Sequence, residues 1–581
     1  YTAYRNFEQD IFIYDTKEGQ TYTITNNGVA EEEPFWSPDG RYIYVSADRF
    51  HAGFPRGGGE SKLYRIPLYR FSESLRTEEY GKLFAKKPSK DSLKVDIKIE
   101  TEGINDRWEQ IDVKGTEQSS PQVYNVRGKT LLLFNNSPNP RERVMTKVEL
   151  SPFDPPKSAA IGDKAFSRLI MTGDKFYALI QGDVYEVKPA EGKADKITLS
   201  ATFSKNLHDE FEQMFYENWA TLAEHFYDRN YHGVDWKAML TRYEQYLPLV
   251  RNRDNLRTIQ NDMLGELNSS HLGFSSQGDE ARPFYRLQTN ATGIMFREDD
   301  PFVVEGWVAH SPADLTDSPL RPGDRLVAVE GTPVDVTADR EKAFTLPQLE
   351  KEITLRLDRK GKEFEMTLQP VSSGALKTLL YDSWVTENRR IVDSLSGGRV
   401  AYVYMKDMGT PSLEKFMIDM TGIALGKEAL ILDIRNNRGG NVHDDVIKFL
   451  SQKPYLEWQA RNGKRSPQPN FAPSGGPIIL MVNEQSLSDA EMTAAAFRQL
   501  KLGTIVGTET YRWIIFTSGR QLVDGSFTRL PAWGCYDLEG NDLEKTGVKP
   551  DVYVRTTFGD MQKAVDPQLV SAVREALSKL Q

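Results

Sequence analysis

The segment Gly476-Pro-Ile-Ile-Leu-Met-Val-Asn483 is an apolar run that stands four residues before Ser488-Asp-Ala490-Glu-Met-Thr-Ala-Ala-Ala-Phe497. The first run predicts a buried strand and the residues from Ala490 onward predict a helix, so Ser488 lies at a strand-to-helix turn. The N–H groups that open such a helix carry partial positive charge and can hold an anion, as an acyl-transfer oxyanion requires. The same sequence is also typical of an ordinary N-cap, in which the serine oxygen accepts the first unpaired N–H groups.

A histidine far upstream is a candidate base for this serine. It lies in the segment Asn268-Ser-Ser270-His271-Leu-Gly273. Because a nucleophilic hydroxyl needs a neighbouring base, His271 and Ser488 together make a serine hydrolase the first hypothesis. The alternative for His271 is a hydrogen-bonded structural histidine.

Two further segments favour the catalytic interpretation. One is Ile431-Leu-Asp-Ile-Arg-Asn-Asn-Arg-Gly439-Gly440, a predicted strand that ends in a glycine-rich turn, where backbone amides can approach a ligand. The other is Leu543-Glu544-Lys-Thr-Gly-Val-Lys-Pro-Asp551, which places a carboxylate before a Gly-Val-Lys-Pro-Asp turn. With all four segments in family order, residues from about 205 to 560 closely resemble the tricorn-type peptidases, relatives of the C-terminal-processing peptidases.

The resemblance implies a catalytic tetrad when it is carried over position by position. Ser488 would be the nucleophile and His271 the general base and acid. Ser270 would orient the imidazole and Glu544 would hold Ser270, so that a second polar group fixes the tautomer of the base. Without the turn that follows it, Glu544 would be interpreted as a solvated turn carboxylate.

The resemblance also implies an oxyanion hole in the glycine-rich turn. Its donors would be the backbone N–H groups of Gly440 and Asp489, with Gly439 in contact with substrate. The turn departs from the family at Arg438, where a third glycine can occur. This departure leaves the tetrad intact and puts the shape of the substrate cleft in doubt.

A second departure distinguishes two branches of the family. The C-terminal-processing peptidases use a lysine base after a threonine in a Gly-x-x-Thr-x-Gly-Lys-like segment. Here the matching stretch is Gly507-Thr-Glu-Thr510-Tyr-Arg-Trp513, which has no lysine after Thr510. The stretch favours a histidine base and the tricorn branch, although it also lacks the Trp-Gly-Gly that often follows the threonine there.

Between the two halves of the predicted site, short predicted strands alternate with turn residues and resemble a PDZ domain. The segments are Thr292-Gly-Ile-Met-Phe296, Val303-Val-Glu-Gly-Trp-Val308, Ser311-Pro-Ala-Asp314 and Leu320-Arg-Pro-Gly-Asp-Arg-Leu-Val-Ala-Val-Glu-Gly-Thr-Pro-Val334. In that family the first segment takes up a peptide by adding a strand to the sheet edge, which makes Gly293 and Ile294 candidate substrate-binding residues. The alternative is that the domain is a spacer.

Residues 206–272 have helical periodicity, with aromatic residues three to four positions apart, and predict a helical subdomain. His208, His225 and His232 are not spaced so as to share a helix face with a further Asp or Cys in ligand register. We therefore assign no metal site, and the resemblance implies no cofactor.

The first two hundred residues have a different pattern. Pro34-Phe-Trp-Ser-Pro-Asp-Gly40-Arg-Tyr-Ile-Tyr-Val-Ser46 alternates apolar and polar residues around a Pro-Asp-Gly turn, with weaker echoes at residues 10–15, 61–66, 128–134 and 173–187. This rhythm is typical of β-propeller blades, of which about three fit at ~40 to 50 residues each. Because the chain begins with Tyr1 and not with Met, we expect it to be the C-terminal portion of a longer polypeptide with further blades.

These patterns predict a multidomain fold of α+β and all-β parts. The predicted domains are propeller blades at 1–203, a helical subdomain carrying Ser270 and His271 at 204–285, a PDZ-like domain at 286–372, and an α/β peptidase core carrying Ser488 and Glu544 at 373–581. The length of 581 residues allows several domains with their own cores.

Composition excludes some function classes. A net charge of −10 leaves no basic stripe for nucleic acid, and no apolar run approaches the ~18 residues of a membrane span. Cys535 is the only cysteine, which excludes an intrachain disulfide. It has no histidine after it and is better interpreted as a buried structural thiol than as a nucleophile.

The sequence therefore predicts a serine peptidase that cleaves peptides or unfolded chains through an acyl-enzyme. The resemblance implies a homo-oligomer and gives a lean towards the periplasm, with the cytoplasm as the alternative. Two other hypotheses stay in view. One is an inert peptide-binding scaffold, and the other, a prolyl-oligopeptidase-like enzyme, is disfavoured because Ser488 lacks a Gly-x-Ser-x-Gly context and no histidine follows His443.

Overall fold

The computed structural model divides the chain into two units, Tyr1–Phe203 and Ser204–Gln581. The fold as a whole is mixed α/β with many separate sheets. The predicted boundary between residues 285 and 286 lies outside the described part of the chain, and within that part no helix has both the length and the apolarity of a membrane span. The structure describes residues 1–5, 8–26, 29–49, 60–70, 72, 97–126, 129–139, 141–150, 156–202, 204–278, 280, 287–316, 320–346, 352–469, 473 and 475–580.

In the first unit the described residues form four antiparallel sheets, each made of strands that are consecutive in sequence. The first sheet has three strands and the others have four, whereas the sequence pattern predicts about three repeats. The strands are β1 (Thr2–Arg5), β2 (Glu8–Asp15), β3 (Gln20–Thr23), β4 (Glu31–Trp36), β5 (Tyr42–Ala47), β6 (Lys62–Pro67), β7 (Glu109–Gln110), β8 (Glu117–Val126), β9 (Lys129–Asn139), β10 (Glu142–Glu149), β11 (Lys157–Ile161), β12 (Arg168–Thr172), β13 (Lys175–Ile180), β14 (Asp183–Lys188) and β15 (Lys193–Lys196).

Alternation along β9 shows how these sheets share their cores. Leu131 and Leu133 pack with the sheet that contains β13, while Leu132 and Phe134 pack with the sheet that contains β5. Because successive side chains of a strand point to opposite faces, one strand contributes to two apolar layers. Each of these two layers is therefore formed by neighbouring sheets.

The second unit begins with three helices that pack around buried aromatic and aliphatic residues and against Leu522 and Leu530. A strand that follows them, β16 (Gly273–Ser275), pairs with a hairpin much later in the chain. The helices are α1 (Leu207–His225), α2 (Trp236–Glu244) and α3 (Arg253–Gly265).

The next region has three small antiparallel sheets among its described residues, and two of them, β18-β19 and β21-β20-β23-β24, pack around one apolar cluster. The largest has the strand order β21-β20-β23-β24. The elements are β17 (Gln288–Ala291), β18 (Ile294–Phe296), β19 (Val304–Trp307), α4 (Pro312–Leu315), β20 (Arg325–Val329), β21 (Thr332–Pro333), β22 (Thr345–Leu346), β23 (Ile353–Arg359), β24 (Lys362–Leu368) and β25 (Val371–Ser372).

The remaining elements are built around a five-stranded parallel sheet with the order β26-β27-β30-β31-β34. The elements are α5 (Ser373–Ser396), β26 (Val400–Tyr404), α6 (Thr410–Thr421), β27 (Ala429–Asp433), α7 (His443–Leu450), β28 (Leu456–Gln459), β29 (Arg465–Gln468), β30 (Ile478–Val482), α8 (Asp489–Gln499), β31 (Thr504–Gly507), β32 (Phe516–Gln521), β33 (Phe527–Trp533), α9 (Leu543–Thr546), β34 (Val552–Tyr553), α10 (Phe558–Gln562) and α11 (Pro567–Ser578).

Helices cover both faces of this parallel sheet. One face packs against α6, α7 and α8, and the other packs against α5 and α11. All residues of β26, β27 and β30 are buried, which explains why these strands are continuous apolar runs. In such sheets functional residues collect beyond the carboxyl ends of the strands, where β27 and β30 lead into the glycine-rich turn and into Ser488.

Candidate active site

Ser488 lies at the turn between β30 and α8. Its backbone has φ 59° and ψ −119°, a region that costs a non-glycine residue on the order of 1 to 3 kcal/mol. The Ser488 N–H donates to Glu491 Oε2 at 3.1 Å, and the Ser488 carbonyl accepts from the Glu491 N–H at 2.9 Å. Both backbone groups of the strained turn are therefore held by one residue of α8.

His271 lies between α3 and β16 and is almost fully buried. Its Nε2 is 3.1 Å from Ser488 Oγ, and the ring of Trp513 lies beside it with centroids 5.1 Å apart. Burial, followed by the charge of Arg529, lowers the pKa of His271 to about 4. At neutral pH the imidazole is neutral and able to accept the serine proton.

Ser270 joins His271 to Glu544. Ser270 Oγ is 2.9 Å from His271 Nδ1 and 3.0 Å from Glu544 Oε2, and the Ser270 N–H donates to Glu544 Oε1 at 2.6 Å. Because an ionised carboxylate only accepts, the Ser270 hydroxyl donates to Glu544 and its oxygen accepts the Nδ1–H of His271. This order leaves Nε2 free to accept a hydrogen bond from the Ser488 hydroxyl.

Glu544 lies in the short helix α9 and is 9% exposed. It also accepts a hydrogen bond from the Ile514 N–H at 3.2 Å. Burial raises the pKa of Glu544, against the opposing effect of the hydrogen bonds from Ser270. The alternative of a solvated turn carboxylate is therefore excluded for this residue.

Gly440 of the glycine-rich turn and Asp489 of α8 line the same cavity as Ser488. Within the described residues, the N–H groups of Gly440 and Asp489 donate no hydrogen bond to the protein. The Gly439 N–H, in contrast, donates to Asn437 Oδ1 at 2.9 Å. Gly440 and Asp489 thus have the free donors that an oxyanion hole needs, while Gly439 does not.

Close backbone approach explains the two glycines. Gly439 has φ 79°, and a Cβ there would lie 2.6 Å from Ser488 Cβ. A Cβ on Gly440 would lie 2.1 Å from the carbonyl oxygen of Met408. Any side chain at either position would displace the turn from the serine.

A cavity of about 280 Å³ opens beside the nucleophile. A larger cavity of about 1170 Å³ lies between the end of α6 and the β28–β29 hairpin and is lined by none of the predicted site residues. The smaller cavity is lined by Gly440, Asn441, Ser488, Asp489, Met492, Ile514, Ile515, Phe516, Thr517 and Arg529.

The order of these elements agrees with two protein-family models. Residues 399–554 match peptidase family S41, and residues 207–265 match the tricorn protease C1 domain. In these two segments the chain is similar to the tricorn-type peptidases.

Individual relatives extend this similarity over most of the chain. The protein described as tricorn protease homolog 2 of Streptomyces coelicolor is 27% identical over 604 residues, covering 96% of this chain and 51% of that protein. Tricorn protease homolog 1 of the same organism is 30% identical over 395 residues, covering 64% of this chain and 35% of that protein. The chain thus spans about half the length of the first relative and a smaller part of the second.

A solved crystal structure of the tricorn protease shares the fold. It matches with a TM-score of 0.75 and 20% identity, covering 99% of this chain and 57% of that one. At this identity the likeness concerns the fold alone.

The side chain of Asp489 makes contacts that the sequence does not indicate. Its Oδ2 accepts from the N–H groups of Val442 at 2.8 Å and of His443 at 3.0 Å, and its Oδ1 lies 2.5 Å from His443 Nδ1. The hydrogen bond and charge of Asp489 raise the pKa of His443 despite the burial of the ring. The carboxylate therefore ties the start of α8 to the start of α7 at His443, three residues after Gly440.

Glu491 is the second residue that sequence reasoning misses. It is fully buried, and burial raises its pKa. Besides Ser488, it accepts hydrogen bonds from Thr510 Oγ1 at 2.6 Å, from the Arg512 N–H at 2.8 Å and from the Trp513 N–H at 2.7 Å. Its carboxylate oxygens join the turn of Ser488 to the segment that contains Trp513, which packs on His271. In the sequence, Glu491 has the position of an ordinary N3 glutamate of a helix.

The predicted peptide-capture residues lie at the start of β18. Ile294 pairs with Trp307 of β19, and in the described part of the chain no strand pairs with the other edge of β18. Neither Gly293 nor Ile294 lines the cavity beside Ser488.

Two other candidate groups have structural contacts. His232 bonds through Nε2 to Tyr227 Oη at 2.6 Å and through Nδ1 to the Leu267 carbonyl at 2.8 Å. Cys535 Sγ lies 3.4 Å from Met492 Sδ, and burial raises its pKa to about 11. A thiol that stays protonated at neutral pH is a poor nucleophile.

Proposed function

We propose that the chain is a serine peptidase that hydrolyses peptides or unfolded polypeptides through an acyl-enzyme on Ser488. The observation that carries this proposal is the unbroken hydrogen-bond chain from Ser488 through His271 and Ser270 to Glu544. A nucleophile, a base and a group that orients the base are the three parts that such chemistry requires.

In the first half of the reaction, His271 Nε2 removes the Ser488 proton as Oγ attacks the peptide carbonyl. The developing oxyanion would accept hydrogen bonds from the free N–H groups of Gly440 and Asp489. His271 then gives its proton to the leaving amine, and the chain beyond the cleaved bond departs.

In the second half, water replaces the amine. His271 takes a proton from the water, which attacks the ester carbonyl, and then returns the proton to Ser488 Oγ as the acid product leaves. Ser270 and Glu544 stay outside the reacting bonds and keep Nδ1 as the protonated nitrogen throughout.

The other parts of the chain have proposed roles in substrate handling. The four sheets of residues 1–203 would be propeller blades, and residues 286–372 would be a PDZ-like domain that takes up an extended chain along the open edge of β18. Cleavage within a chain, as an endopeptidase, and assembly into a homo-oligomer belong to the same proposal.

Covalent labelling tests the proposal. A fluorophosphonate probe should add to wild type on Ser488, and Ser488→Ala should lose both the label and peptide hydrolysis, by about 10,000-fold or more. Circular dichroism should show an unchanged fold. A folded wild type that neither labels nor cleaves would favour the peptide-binding scaffold, and a Ser488→Ala variant with near wild-type rate would remove the nucleophile assignment.

A further inference from the structure

Arg529 is a cationic side chain in the cavity beside the nucleophile. It belongs to β33 between the buried Thr528 and Leu530, so alternation turns Arg529 to the exposed face of the sheet. The residues paired with Arg529 on the two neighbouring strands are both glycines, Gly273 and Gly519.

The guanidinium has no counter-ion in the described part of the chain. Its one hydrogen bond there is from Nε to Thr517 Oγ1 at 3.3 Å, which leaves both terminal nitrogens without a partner. Asp489 also lines the cavity, but its oxygens accept from Val442 and from His443. An arginine with free terminal nitrogens presents a fork that fits a carboxylate in bidentate geometry.

The charge of Arg529 acts on the reacting groups. It is the second cause, after burial, of the lowered pKa of His271. The cavity wall also contains the apolar side chains of Met492, Ile514 and Phe516. A cation in such surroundings attracts an anionic group and repels a lysine or arginine side chain of a substrate.

We propose that Arg529 is a specificity-determining residue that selects substrates with a carboxylate close to the bond that is cleaved. This inference rests on the proposed peptidase function and names its substrate class. The carboxylate has two possible sources, an Asp or Glu side chain next to the cleaved bond or the free C-terminus of a short substrate. Both present the same planar group to the guanidinium.

Two peptide series separate these sources. In the first, internally quenched peptides differ only in having Glu, Gln or Lys at each position flanking the cleaved bond. In the second, short peptides end in a free acid or in an amide. We expect kcat/KM to be about 10- to 100-fold higher for the acidic member of one series, as for hydrogen bonds to charged groups.

The variants Arg529→Gln and Arg529→Glu test whether this residue is responsible. The acid preference should disappear in Arg529→Gln, and Arg529→Glu should prefer the Lys peptide. Arg520→Gln is the matched control, because Arg520 is exposed on the neighbouring strand β32 and does not line the cavity. Assays at pH 8 keep His271 neutral in every variant.

Three outcomes would overturn the inference. They are a wild type that cleaves acidic, amide and basic peptides equally, an acid preference that survives in Arg529→Gln, and an equal loss on all peptides in that variant. If a fluorophosphonate labels Ser488 but the enzyme shows no preference for acidic peptides, the specificity assignment alone fails. If neither labelling nor cleavage occurs, the proposed function fails and the inference fails with it.

Discussion

Ser488 and His271 both have a positive φ, of 59° and 58°, yet different contacts hold the two turns. The turn of Ser488 is set by Glu491 of α8, which holds both backbone groups of the serine, and by the glycine-rich turn beside it. The ring of His271 is set by a side-chain relay that reaches Glu544, 274 residues after Ser270. Substitutions near Ser488 should therefore move the reacting atoms and the backbone donors. Substitutions near His271 should instead lower the fraction of molecules in which the imidazole has the orientation needed to accept the serine proton.

The largest effect on the nucleophile side should come from Gly440→Ala. The added Cβ would lie 2.1 Å from the Met408 carbonyl oxygen, so the backbone must shift and carry the Gly440 N–H with it. Loss of one oxyanion donor lowers kcat by about 100- to 1,000-fold. Steady-state kinetics with one fluorogenic peptide measures this loss.

Gly265→Ala is the control for Gly440→Ala, since a Cβ at Gly265 meets no atom within 4 Å. It should keep wild-type kinetics. A Gly440→Ala enzyme with an unchanged kcat would show that backbone placement in this turn does not limit the reaction.

A smaller effect is expected from Asp489→Asn. The backbone N–H donor is retained, but the carboxylate that joins α8 to Val442 and His443 is lost. We expect kcat to fall about 10-fold with little change in KM, because a hydrogen bond to a charged group contributes about 1.5 kcal/mol or more. An equal rise in KM with constant kcat would instead indicate a role in substrate binding.

The smallest effect concerns pH and the base side. Because burial lowers the pKa of His271 to about 4, kcat/KM should stay near its plateau at pH 5.5 and fall by half at about pH 4. A histidine with an ordinary pKa near 6.5 would already lose about 10-fold at pH 5.5. Removal of the positive charge in Arg529→Gln should move the acid limb to higher pH.

The measurement is kcat/KM from pH 3.5 to 8, with tryptophan fluorescence to confirm the fold at each pH. An acid limb at pH 6.5 or above would show that His271 is more solvated than its buried position implies. An unchanged acid limb in Arg529→Gln would show that the charge of this guanidinium does not affect the pKa of His271.

Much of the site is predictable from local sequence. The apolar run 476–483 becomes β30, and the Ala-rich segment that follows becomes α8. Ser488 and His271 are candidates from their own segments, whereas the roles of Ser270 and Glu544 follow only from the resemblance of four segments to one family. The structure brings these four side chains together. The sequence also identifies Gly439 and Gly440, the two glycines at which other backbone or side-chain atoms come close.

The remaining features arise from tertiary contacts. Asp489 meets His443 across 46 residues, and Glu491 meets Trp513 across 22, with no periodicity to connect either pair. The lowered pKa of His271 also depends on tertiary structure, because the burial that causes it is a property of the packed chain. The described part of the first unit likewise has four sheets, whereas about three blades were expected from the sequence.

The central claim is that Glu544 acts on Ser488 only by orienting His271 through Ser270, and a double-mutant cycle tests it most directly. Glu544→Gln and Ser270→Ala should each lower kcat by ~10- to 1,000-fold with little change in KM. The double variant should lose much less than the product of the two losses, since both act through one orientation. Glu539→Gln, an exposed neighbour, is the control and should keep wild-type kcat. Multiplicative losses, or full activity in Glu544→Gln, would contradict the relay.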